Sequence, residues 1–182
     1  RLVGSEMCIR DSNNVVLTSI LPPPPPPPSL VAPLCEDFST GFIPNLWSLS
    51  VTSGSGWVFS GTPGYEAANN GRPSGTYAWV DFSGTDAGVI LEVGDVDISA
   101  LAAPQMSFDH FSYYTGTVNP NNDLFVEVWD GTTWNVVLTR SVNIPDWQNV
   151  AVSLVGLNYT PNLVRVRFRA ESGGAGTDFY LD

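Results

Sequence analysis

Lysine is absent. All seven basic residues are arginine, against 18 acidic residues, for a formal net charge of −11. A surface of one dominant sign repels polyanions such as DNA, which argues against nucleic-acid binding. Cysteine is nearly absent too, with Cys8 and Cys35 the two examples among 182 residues. Two thiols make neither a disulfide framework nor a metal cluster. Pairing across the intervening proline run is one option; the simpler expectation is that Cys8 lies outside the domain and Cys35 is a lone, buried thiol. No apolar run reaches the roughly 18 residues of a membrane-spanning helix. No stretch carries a convincing helical period, and no repeat of solenoid or propeller length is visible.

Turn formers and aromatics are abundant: 17 Gly, 15 Pro, nine Phe, six Trp and six Tyr. They are unevenly placed. Arg1–Ser12 (RLVGSEMCIRDS) resembles a string that recurs in conceptual translations of assembled sequencing reads, where adapter-derived sequence enters the reading frame. Residues 13–20 allow a short strand or the stub of a preceding region, and they lack the basic start and apolar core of a signal peptide. Pro22–Pro28 is seven consecutive prolines. With fixed φ and no backbone donors it forms an extended polyproline II rod, acting as a spacer or as a docking site for proline-recognising modules. Residues 1–32 are therefore expected to be a disordered segment with a polyproline linker, and 33–182 the folded domain, part of a longer polypeptide and cut at its C-terminus.

From Pro33 onward the dominant period is two. Strands are expected over Leu34–Phe38, residues 55–60, Gly75–Phe82, Val89–Val93, Gln105–Tyr113, Asp123–Asp130, Trp134–Thr139, Asp146–Leu154 and Leu163–Glu171, each closed by Gly, Pro, Asn or Asp. Leu163–Glu171 is the clearest: Val164, Val166, Phe168 and Ala170 face one way, Arg165, Arg167, Arg169 and Glu171 the other. Leu124, Val126 and Val128 have the same spacing and are expected to share a core with them. Residues 130–133 (DGTT) supply a hairpin turn, and 95–104 a tight corner or a single helical turn. About 150 residues of short strands with regular turns predict an all-β fold: a two-sheet antiparallel β-sandwich of jelly-roll type.

Residues 35–182 resemble the MAM domain family of adhesion modules, in the cysteine-poor form of large bacterial secreted or surface proteins. The resemblance rests on CEDF at 35–38, Trp47, PSGTYAWVD at 73–81, ILEVGDVDIS at 90–99, Trp147 and VRVRFRAESGGAGTDFYLD at 164–182. It implies a jelly-roll fold and a non-catalytic, extracellular or cell-surface adhesion or protein-interaction module, covalently linked to neighbouring domains. Disulfides usual in vertebrate members have no counterpart here, since Cys35 has no partner within the domain.

Catalytic signals are weak. His110 adjoins Asp109 and follows Ser107, but neighbouring strand residues point to opposite faces, so Asp109 cannot orient His110. A solvated or sheet-face histidine is expected, and no enzyme. Six large aromatics, Trp57, Tyr77, Trp79, Trp129, Trp134 and Trp147, raise an alternative: a carbohydrate-binding accessory domain of an extracellular hydrolase. Core packing accounts for most of them. Trp79 and Trp129 stand out because each shares a strand face with a carboxylate, Asp81 or Glu127. Arg165, Arg167 and Arg169 offer an anion-binding ladder, or one neutralised by acidic neighbours. The partner is thus an extracellular protein or a glycan. Finally, acids open and close the domain. Asp37 and Asp182, with Glu36, Asp81 and Asp178, could ligate a structural calcium ion joining the first and last strands, as related jelly rolls often do; the alternative is solvated surface charge.

Overall fold

The computed structural model describes residues 27–61, 77–81, 85–112, 123–141, 144–173 and 179–181. Among the described residues ten strands form two sheets: β1 (Leu30–Val31), β2 (Ser48–Ser50), β3 (Ala78–Val80), β4 (Thr85–Asp97), β5 (Gln105–Ser112), β6 (Asp123–Trp129), β7 (Trp134–Ser141), β8 (Ile144–Ser153), β9 (Leu163–Gly173) and β10 (Phe179–Leu181). One sheet has the order β1-β4-β9-β6-β7, with β2 also beside β4; the other has the order β3-β10-β5-β8. All pairings are antiparallel except β1 with β4. The chain changes sheets repeatedly from β4 onward, as a jelly-roll β-sandwich requires.

The core lies between the sheets. Val89, Leu91, Val164, Val166, Phe168, Ala170, Leu124, Val126 and Val128 are buried from one side, and Ala78, Val80, Phe108, Val150, Val152 and Leu181 from the other. Register explains the predicted cluster: Val126 pairs with Phe168 and Val128 with Val166. Phe108 and Phe168 join the two layers edge to face, with ring centroids 5.1 Å apart at 83°, a preferred aromatic geometry. The β6–β7 hairpin turns where DGTT predicted. Gly131 has φ 101°, and Asp130 Oδ1 accepts the Thr132 and Thr133 N–H groups at 2.8 Å each.

Several expectations are corrected. Residues 34–38 form no strand. Pro33 has no N–H to donate, Glu36 Oε1 accepts the Phe38 N–H at 2.7 Å and Asp37 Oδ1 the Ser39 N–H at 2.9 Å. These local bonds take donors that a ladder needs, and Phe38 adopts φ 52°. The segment runs as an irregular strap along a pocket lined by residues of both sheets, and Cys35 is exposed rather than buried. Regular pairing instead begins at Leu30, opposite Val96. Residues 55–60 contribute only a bridge from Val58 to Trp79, although Trp57 and Phe59 enter the core as their alternation indicates. Residues 95–97, expected within the corner, continue β4; the corner itself is the expected tight turn, with the Leu101 N–H donating to the Ile98 carbonyl at 2.9 Å.

Candidate functional site

Three faces matter: the core, and the outward face of each sheet. His110 belongs to the first. It is fully buried on β5 rather than solvated. Burial, reinforced by the charge of Arg140, pulls its imidazole down to a pKa of about 3, so it is neutral at ordinary pH. Asp109 points to the opposite face, where its Oδ1 accepts a hydrogen bond from Asn149 Nδ2 at 2.8 Å. Trp57 is also in the core, donating Nε1–H to the Val89 carbonyl at 3.2 Å.

The outward face of the six-stranded sheet carries the arginine ladder. Arg165 grips Asp95 through Nε–Oδ1 at 2.7 Å and Nη2–Oδ2 at 3.0 Å. Arg167 Nε donates to Glu127 Oε2, and Arg169 donates to Glu127 Oε1 from Nε and Nη2 at 3.0 and 2.9 Å. Arg169 Nη1 also reaches Glu171. Each guanidinium lies over a ring as well: Arg167 is 4.3 Å from the Trp134 centroid, Arg169 4.1 Å from Phe125, and Arg165 5.8 Å from Tyr159. Guanidinium edges are thus taken by carboxylates and guanidinium faces by aromatics. Asp95 is held below the usual carboxylate range by the Arg165 hydrogen bonds. At Glu127 burial pushes upward but is outweighed by the hydrogen bonds from Arg169 and Arg167, and its carboxyl is also lowered. An anionic ligand here would compete with carboxylates already bound. Trp129 sits at the end of the ladder, 5.5 Å from Trp134 with the rings inclined at 52°.

The outward face of the four-stranded sheet is different. Trp79 on β3 and Phe111 on β5 both register with Tyr180 of β10, which places them two strand spacings apart, about 10 Å. Trp147 on β8 continues the row, 5.5 Å from Phe111 at 31°, and Tyr77 leans on it at 5.6 Å. Phe111 and Tyr77 are buried, with half-buried Trp79 and Trp147 packed against them. Trp79 Nε1–H donates to the Ser60 carbonyl at 3.2 Å, which fixes its ring plane. One step along the strands, the Asp109–Asn149 pair supplies exposed hydrogen-bonding groups on the same face.

Trp79 and Trp129, alike in local sequence, therefore lie on opposite outward faces. Phe111, Asp109 and Asn149 were missed as candidates; the spacing of Asp109 and Phe111 signalled a shared face, but nothing local marked Asn149. Among the calcium candidates, Asp178 and Asp182 lie outside the described residues. Glu36 and Asp37 each hold a local N–H, and no group of three or more His, Cys, Asp or Glu side chains able to hold a metal ion occurs among the described residues.

No protein-family model matches the sequence, that of the MAM domain included, and no curated protein matches it. Solved structures do match. The cleaved adhesin domain K3 of Lys-gingipain from Porphyromonas gingivalis W83 superposes with a TM-score of 0.59 and 16% identity, over 82% of this chain and 95% of that one. TmCBM61, in complex with β-1,4-galactotriose, superposes with a TM-score of 0.53 and 14% identity, over 80% of this chain and 90% of that one. At these identities the likeness establishes a shared jelly-roll sandwich.

Proposed function

We propose that this domain is a non-catalytic glycan-binding accessory module, displayed outside the cell and joined covalently to a larger secreted protein such as a hydrolase. The observation that carries the reading is the outward face of the four-stranded sheet. Trp79 and Trp147 offer half-buried rings on either side of the Phe111 floor, with Asp109 and Asn149 beside them. Sugar rings have one apolar face and a rim of hydroxyls, so an aromatic row edged by carboxylate and amide groups suits them. The charge of −11 favours a neutral glycan over a sulfated or uronic-acid polymer. The shared fold with a module bound to β-1,4-galactotriose supports the same reading. A second reading, an adhesion module of the MAM type binding protein, is supported by the shared fold with the gingipain adhesin domain and by exposed Phe42, Leu49 and Val51, the last two on and directly after β2.

Affinity electrophoresis in gels containing β-1,4-galactan, xylan or mixed-linkage glucan tests the proposal. At least one neutral polysaccharide should retard the protein; Trp79→Ala and Trp147→Ala should each weaken binding about tenfold or more, a loss near 1.4 kcal/mol, and Trp129→Ala should not. Retardation by none of them, or loss with Trp129→Ala alone, would overturn it.

A further inference from the structure

The two sheets do not close completely. Between them lies a cavity of about 540 Å³, walled by inward side chains such as Val93, Val166 and Phe168 from one sheet and Phe108 and Leu181 from the other. The strap contributes Leu34, Cys35 and Glu36 to its lining. Sandwich interiors normally interdigitate with few voids larger than a water molecule. The cavity's volume and lining match those of small-molecule pockets, which are mostly apolar with a few polar groups at one end.

We propose that this cavity binds one uncharged apolar molecule, entering beneath the strap. The charge pattern selects the class. Among the described residues lining the cavity Glu36 is the sole charged one, and no described Arg or His lines it. A carboxylate or sulfonate head would find no counter-charge and would face Glu36 at the entrance. Glu36 is held in place because its Oε1 accepts the Phe38 N–H. The site is separate from the outward aromatic row, with the four-stranded sheet between them.

A matched pair of dyes tests this on the full chain: N-phenyl-1-naphthylamine, which is uncharged, and its 8-sulfonate. The neutral dye should bind saturably at one per chain with enhanced emission, and the sulfonate at least tenfold more weakly. 1-Decanol should displace the neutral dye and decanoate should not. Ala103→Trp, at an exposed position on the rim, should block entry without disturbing the core and reduce affinity at least tenfold. Glu36→Gln keeps the acceptor for Phe38 and should raise sulfonate affinity several-fold with little change for the neutral dye. Trp79→Ala should leave dye binding intact, which separates this site from the glycan face. Equal affinity for both dyes, no saturable binding, or binding indifferent to Ala103→Trp would overturn the proposal.

Discussion

Glu127 Oε1 accepts two hydrogen bonds from one guanidinium, that of Arg169, from Nε at 3.0 Å and Nη2 at 2.9 Å. The carboxylate is 4% exposed on a face that otherwise meets solvent. Arg167 takes its other oxygen and stacks on Trp134. The pair thus sits beneath a roof made by its own partners.

Removing that carboxylate would strand two half-buried guanidinium groups. Glu127→Ala should therefore destabilise the fold by roughly 2–4 kcal/mol, somewhat less than the about 3–5 kcal/mol of a fully buried ion pair broken from one side, because both guanidinium groups keep some contact with solvent. Glu127→Gln should recover part of the loss, because the amide oxygen still accepts. Urea unfolding of the three proteins measures this; a loss below about 0.5 kcal/mol for Glu127→Ala would mean that the ladder contributes no more than ordinary surface charge.

Phe168 links the layers through Phe108 and is 5% exposed. Truncation to Ala removes an entire ring between sheets that cannot fully collapse, and should cost about 3–5 kcal/mol. Chemical denaturation reads it directly. A cost below about 1 kcal/mol would contradict the core position.

Strand β9 was legible because its period of two persists without interruption, placing valines inward and arginines outward. The β6–β7 hairpin was legible because Asp130 and Gly131 make the turn with their own groups. The strap at 34–38 was not: alternation there is real, but Glu36 and Asp37 divert the backbone donors, a competition that apolar patterning does not register. The outward aromatic face of the four-stranded sheet was legible only in pieces. Phe111 is buried on an outward face because Trp147, 36 residues further along, and Tyr77 lie against it. Which sheet a strand joins is decided by pairing across the chain, and so Trp79 and Trp129 could not be assigned to different faces beforehand.

Calcium is testable without a further structure. If the acids at both ends of the domain share an ion, millimolar calcium should raise the unfolding temperature above that in excess chelator at constant ionic strength, by mass action on the folded state. Asp37→Asn should abolish the difference. A midpoint unchanged by chelator would leave Glu36 and Asp37 as the local backbone caps already seen.

The pH dependence of stability isolates His110, the single histidine of the chain. Burial, with help from Arg140, lowers its pKa from 6.5 to about 3 in the folded protein. Between those values the unfolded chain binds a proton that the native state refuses. Stability must therefore fall as pH drops below about 6.5, by up to roughly 1.4 kcal/mol per pH unit. Asp95 and Glu127, whose carboxyls are lowered in the native state, act in the same direction but only below about pH 4.5, where unfolded carboxylates begin to protonate. Among the described groups with a shifted pKa, the interval from pH 6.5 to 5 thus reports on the imidazole. Urea midpoints at pH 7, 6 and 5 should decline in the native sequence and stay level in His110→Leu, whatever that substitution does to absolute stability. A decline of equal slope in both proteins would place the titrating group elsewhere.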